Sequence, residues 1–148
     1  MYAYSVLFSA VFYITYQEVL MKTIEVVAAV FYENDKIFCA KRKNEGERAL
    51  KWEFPGGKVE KGETPQVALK REIEEEFNTL INVKEYITTV DHTYDTFKII
   101  LHAYYTERIK GDLILTEHTD FKWLSKEELE TLDWAKADLP IVDKIKKT

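Results

Sequence analysis

The sequence predicts a mixed α/β (α+β) fold in which a β-sheet is sandwiched between helices, an α/β/α sandwich. Three observations carry that expectation. First, two β-branched, apolar runs, TIEVVAAVFY (23–32) and KIFCAKR (36–42), flank a short turn of Glu33, Asn34 and Asp35, the signature of a hairpin. Second, Leu69, Ile73 and Phe77 recur at i, i+4 and i+8, which gives one helix a single core-facing stripe. Third, two more strand-like runs, VKEYITTVDHTY (83–94) and FKIILHAYYTER (97–108), are followed by a short strand and short helical segments. Strands and helices in that order suggest a mixed sheet covered by helices.

Taken along the chain, the hairpin is followed by KNEGERALKWEFPGGKVEKGE (43–63), a polar stretch holding four of the five glycines. It is too long for a mere connector, and loops of this length usually carry function. Thr64 as N-cap and Pro65 at the first helical position open the long helix. Asn78 can stop it in the left-handed conformation. FKWL (121–124) reads as a short strand, Ser125 and Glu128 fit a capping box opening a helix over 126–132, and PIVDKIKK (140–147) reads as a terminal helix.

With 148 residues, 46% hydrophobic and 32% charged, the chain is expected to form one globular domain. The net charge of −5 argues against a broad nucleic-acid surface. A single cysteine, Cys39, excludes a disulfide framework and fits a cytoplasmic location. One Cys and three His disfavour a thiolate zinc site. Residues 1–16 carry no charged side chain, and the first basic residue is Lys22, so the basic region of a signal peptide is lacking. The run also falls short of the roughly 20 apolar residues of a membrane span. Residues 1–20 are therefore read as an appendage and 21–148 as the domain. A packed extra element or a membrane anchor are the alternatives.

The functional reading begins on the helix. Glu72, Glu75 and Glu76 stand at i, i+3 and i+4 and share one face, whereas Glu74 points to solvent. Crowded carboxylates raise one another's pKa unless a cation compensates, and hard oxygen ligands select Mg²⁺, Mn²⁺ or Ca²⁺. On the helix alone an ordinary charged face is the alternative. The preceding loop shifts the balance. Pro55-Gly56-Gly57 permits sharp turns and close approach of a ligand. Lys58 and Arg42 suit phosphate oxygens, Arg by a bidentate fork and Lys as a point charge. Acidic metal ligands beside cations fit phosphoryl chemistry.

Residues 57–79, GKVEKGETPQVALKREIEEEFNT, resemble the signature of the Nudix hydrolases: Gly, five residues, Glu, seven residues, Arg-Glu, an aliphatic, any residue, Glu-Glu, any residue, Gly and an aliphatic. Gly57, Glu63, Arg71, Glu72, Ile73, Glu75 and Glu76 meet it, while Asn78 and Thr79 depart from it. Asn tolerates the left-handed conformation that Gly would supply. IEVVAAV, EFPGGKVE, HAYY and ADLPIV extend the likeness to the MutT-like nucleoside triphosphate pyrophosphohydrolases, nearest to the CTP pyrophosphohydrolases, from about Met21 onward. The resemblance implies the Nudix fold and a divalent cofactor, Mg²⁺ or Mn²⁺. It implies Glu72, Glu75, Glu76 and the Gly56 carbonyl as metal ligands, with Glu117 as a distal ligand or base. Arg71 would orient the glutamates, Glu63 would support the loop–helix geometry, and Arg42 and Lys58 would touch phosphates.

The reaction so implied is hydrolysis of a nucleoside triphosphate to monophosphate and pyrophosphate, by a monomer or homodimer acting on a small molecule and not on a nucleic-acid polymer or a membrane. Val26 and Ala28 match a base-lining face, and Phe54 and Tyr94 are expected against the base. Asp138 could accept from the N4 amine of cytosine, which leans toward CTP or modified dCTP. Its alternative role is to cap the last helix at Pro140. An 8-oxo-dGTP diphosphatase and a catalytically silent nucleotide-binding regulator remain the rival readings. His92 and His102 are expected as core or pocket-wall groups; His118, on a loop beside Glu117, is expected to be exposed, with a place near the site as the alternative.

Overall fold

The computed structural model describes residues 21–148; residues 1–20, read above as an appendage, lie outside the described residues. Strand β1 (Lys22–Glu33) is the axis of the sheet. Its odd and even residues face opposite ways, and each set heads a separate core. Val27, Ala29 and Phe31 pack with Phe38, Leu69, Ile73 and Phe77 on one side. Ala28 and Val30 pack with Trp52, Phe54, Leu129, Trp134 and Ile141 on the other. A strand apolar on both faces has to be covered on both, which is why the run 23–32 shows little alternation.

β1 joins β2 (Lys36–Arg42) through Asn34 and Asp35, both left-handed at φ 51° and 62°. That is the two-residue turn whose twist matches an antiparallel hairpin. The rest of β1 takes other partners. Val26–Ala28 pair antiparallel with β4 (Gly56–Lys58), and residues 22–31 pair in parallel with β6 (Phe97–Lys110). β5 (Leu80–Thr93) lies antiparallel to β6, and β2 also carries β3 (Trp52–Glu53) and β7 (His118–Leu124).

Helix α1 (Pro65–Phe77) has the caps the sequence announces. The Thr64 hydroxyl accepts from the Val67 N–H at 3.2 Å, and Asn78 stops the helix at φ 50°, ψ 44°. Leu69, Ile73 and Phe77 are fully buried against β1 and β2. The opposite face of the sheet is covered by two 3₁₀ turns, Lys126–Thr131 and Lys136–Asp138, and by α2 (Leu139–Lys146). The sandwich is thus as expected, with three revisions. The stretch 43–63 is not all loop, because β3 and β4 lie within it. The helix expected over 126–132 is a 3₁₀ turn, although the Glu128 carboxylate does accept from the Ser125 N–H and hydroxyl. β5, β6 and β7 each run two or three residues beyond the sequence-based bounds.

Candidate active site

The backbone bends at Pro55, but the two glycines that follow are not needed for a turn. Gly56 and Gly57 are strand residues opposite Ala28 and Val27, and neither has a positive φ. Their requirement is space. A Cβ on Gly56 would stand 1.8 Å from the Val27 carbonyl oxygen, and one on Gly57 would stand 2.2 Å from the Glu72 carboxylate. The two glycines let β4 seat between β1 and the acidic face of α1.

A cavity of about 510 Å³ opens there, within the range of small-molecule sites. Glu72, Glu76 and Glu117 line one end, with Gly56, Gly57 and Lys58 beside them; Val26, Ala28, Phe54, Phe97 and Asp138 line the rest. Arg42 and Glu53 also reach the wall.

At the acidic end, Glu72 is only 8% exposed. Burial, the charge of Glu72, a hydrogen bond with it, and the charges of Glu117 and Glu53 push the Glu76 carboxyl up to about 8. Glu75 is placed differently: its side chain is 60% exposed, bonds Arg71 at 3.2 Å, and does not line the cavity. Glu74 faces solvent. Glu117 is exposed and lies 3.4 Å from the Lys43 ammonium. Among the described residues no three carboxylate, imidazole or thiol groups converge as a finished metal cage.

Arg71 organises this end. Its Nε and one terminal nitrogen donate to the two Glu63 oxygens at 2.8 and 2.7 Å, and it also meets Glu72 at 2.8 Å, Glu75 and the Lys58 carbonyl at 2.9 Å. Glu63, which also accepts from the Glu60 N–H at 2.9 Å, is held down to about 2, chiefly by Arg71. One planar guanidinium therefore ties loop, β4 and helix together, a fork that Lys cannot reproduce. Arg71→Lys is expected to lower kcat/KM about 10²-fold, measured by steady-state kinetics, because Glu72 loses its fixed orientation.

The cavity also holds Glu53, which the sequence reading missed, and His118, for which it gave a place near the site only as the alternative. Glu53 bonds Arg42 at 3.2 and 3.3 Å and His118 at 2.8 Å. Burial drives its carboxyl up, but His118, Arg42 and Arg48 more than offset this and hold it below the usual carboxylate range. His118, expected to be exposed, has a side chain only 6% exposed, stacked on Phe77 and lining the cavity. Arg42 is thereby engaged with Glu53 rather than standing free for phosphate. A signal for Glu53 was present: an acid between Trp52 and Phe54, both buried, points to the other side of a strand.

At the apolar end, Asp138 is buried and accepts from the Phe54 N–H at 3.0 Å. It makes no side-chain cap to α2, so the capping alternative does not describe its contact. Burial and the charge of Glu53 push its carboxyl up to about 8. Tyr94 does not reach the cavity wall; its hydroxyl accepts from the Ala137 N–H at 2.9 Å and its ring stacks on Phe97, which takes the lining position.

The raised Asp138 sets a pH dependence. Between about pH 4 and 8 the folded state keeps a proton that the unfolded chain has released, so this group makes stability fall as pH rises. Asp138→Asn keeps an oxygen for Phe54 and removes the titration. Urea midpoints at pH 5 and 7 are expected to show the variant gaining on the wild type as pH increases.

Residues 21–145 match the NUDIX domain. The chain belongs to the Nudix hydrolase family. This Nudix hydrolase is 38% identical over 123 residues to the CTP pyrophosphohydrolase of Escherichia coli K12, covering 83% of this chain and 91% of that one. It is 30% identical over 128 residues to the 8-oxo-dGTP diphosphatase of the same organism, covering 86% and 99%. Among solved structures, the MutT protein of methicillin-resistant Staphylococcus aureus 252 superposes with a TM-score of 0.72 at 44% identity, covering 86% of this chain and 98% of that one.

Proposed function

We propose that this Nudix hydrolase converts CTP and dCTP, including 5-modified dCTP, to the monophosphate and pyrophosphate in the cytoplasmic nucleotide pool. The observation that carries the reading is one cavity with a crowded carboxylate end and, at its apolar end, a buried Asp138 anchored on the Phe54 N–H. Similarity to the CTP pyrophosphohydrolase supports the same substrate.

The acidic end fits a divalent cation. Its donors are hard oxygens, the Glu76 carboxyl is raised by burial and by neighbouring acids whose charge a cation would balance, and Gly57 keeps open the space that a Cβ would take from the Glu72 carboxylate. Glu72, Glu76, Glu117 and the Gly56 carbonyl would hold Mg²⁺ or Mn²⁺, with Glu75 joining after it leaves Arg71. When bound, the ion neutralises phosphate charge and acidifies water. The remaining work falls to the chain. Once the proton that Glu72 and Glu76 share is displaced by a cation, the pair would accept the proton of the attacking water, sharing it as coupled acids do. Water adds to phosphorus, the P–O bond of the phosphoric anhydride breaks, and pyrophosphate leaves. Lys58 and Arg42 line the same cavity and would steady the phosphates, Arg42 in exchange for part of its contact with Glu53. Val26, Ala28 and Phe54 would flank the base. The Asp138 carboxyl accepts from an exocyclic amine in either protonation state, since a neutral acid retains acceptor capacity.

Competition between CTP and 8-oxo-dGTP tests the reading. A higher kcat/KM for CTP is expected, with Asp138→Asn shifting the ratio toward the guanine nucleotide. A wild type that prefers 8-oxo-dGTP, or a ratio untouched by the substitution, would overturn it.

A further inference from the structure

We propose that Arg48 is a specificity-determining residue that reads the substrate base by donating two hydrogen bonds to a pair of adjacent acceptors. The inference rests on the cytidine reading above and names the residue that would separate cytosine from uracil.

Arg48 belongs to the segment between β2 and β3 and lines the cavity. Its guanidinium lies 5.3 Å from the centre of the Phe97 ring and 5.8 Å from that of Tyr94. Its side chain is 23% exposed, and its nearest carboxylate, Glu53, is 3.9 Å away, too far for a hydrogen bond. Arg71 spends its donors on Glu63, Glu72, Glu75 and the Lys58 carbonyl, and Arg42 is tied to Glu53 through one terminal nitrogen. Among the described residues Arg48 is therefore a cavity arginine held by ring faces, with its forked donors left for a ligand.

The segment that carries it is fixed. The neighbouring Glu47 accepts from the Asp95 and Thr96 N–H groups at 2.8 and 3.1 Å and from the Thr96 hydroxyl at 2.9 Å. That clamp ties Arg48 to the β5–β6 turn, immediately before Phe97. The Arg48 carbonyl accepts from the Lys51 N–H at 3.1 Å. A fork held in place before binding loses little freedom on binding.

The chemistry then selects a base. Arg48 packs on Phe97, which lines the same cavity as Asp138, so the donor fork and the buried carboxyl are both open to one substrate base. An edge that suits both offers two adjacent acceptors beside an amine. Cytosine has O2, N3 and the N4 amine in that order. Uracil carries N3–H in the middle and would set donor against donor, a mismatch that rejects it.

The test is calorimetric binding of CMP, UMP and inorganic pyrophosphate, each with Mg²⁺, to wild type, Arg48→Met and Arg48→Lys. Met preserves an apolar stem over Phe97 without the fork; Lys keeps the charge without the paired geometry. Wild type is expected to bind CMP at least about tenfold tighter than UMP, the scale of one bidentate contact. Arg48→Met is expected to bring that ratio close to one and to leave pyrophosphate binding unchanged, which also shows that the variant is folded. Arg48→Lys is expected to fall between the two. An unchanged CMP-to-UMP ratio in Arg48→Met would overturn the proposal. So would parallel weakening of all three ligands, which would make Arg48 a phosphate contact. A wild type without preference for CMP would overturn the cytidine reading itself.

Discussion

Glu76→Gln is expected to lower kcat/KM for triphosphate hydrolysis about 10³-fold and, at the same time, to raise the melting temperature of the metal-free protein above pH 8. Both effects come from one cause. Glu76 is pressed by burial, by Glu72, and by Glu117 and Glu53, and its carboxyl is raised to about 8. Without a cation, ionising it beside those acids works against folding. The folded state holds the proton to a higher pH than the unfolded chain, so stability falls as pH rises from about 4.5 to 8. Gln keeps the shape and removes the charge. A residue kept for stability would give the opposite sign, with Tm falling on substitution. Kinetics with Mg²⁺ and thermal melts at pH 6 and pH 9 with EDTA check the pair. Unchanged turnover, or a lower Tm at pH 9, would contradict the role assigned to Glu76.

Gly56→Ala and Gly57→Ala are adjacent substitutions with opposite expected outcomes. At Gly56 the new methyl would meet backbone, 1.8 Å from the Val27 oxygen and 3.0 Å from the Ala28 Cα. β1 is the axis of the sheet and β4 its neighbour there, so nothing small can yield. A loss of about 3 kcal/mol or more is expected, read as a drop in the urea midpoint or as failure to fold. At Gly57 the methyl would meet the far end of the Glu72 side chain at 2.2 Å. That side chain can yield by leaving Arg71, so the stability loss should be smaller than at Gly56 while activity collapses, because Glu72 no longer points into the cavity. Equal stability losses at both positions would contradict this division.

The fold was legible where physical signals are local. The caps at Thr64 and Asn78, the buried stripe Leu69, Ile73 and Phe77, and the Asn34-Asp35 hairpin turn all follow from short-range chemistry. The two-residue β3 and three-residue β4 are too short to show a period, and they exist because β2 and β1 offer them an edge. The position of Glu72 and Glu76 on one helix face follows from the i, i+4 spacing. The turning of Glu75 to Arg71 does not, because it depends on where β4 and Glu63 place the guanidinium. Glu53, His118 and Arg48 come together from β3, β7 and the segment between β2 and β3. No spacing in the sequence encodes that meeting. Tyr94 and Phe97 are both aromatic and only three residues apart, and no local signal tells which of them faces a base. The β5–β6 turn decides between them, sending the Tyr94 hydroxyl to Ala137 and Phe97 to the cavity.

One assay is decisive: wild-type protein, CTP and Mg²⁺, with products resolved by ³¹P NMR. CMP and pyrophosphate in equal amounts, formed only with the divalent ion, are predicted. Release of CDP and orthophosphate, or no turnover of CTP or any other triphosphate, would contradict it.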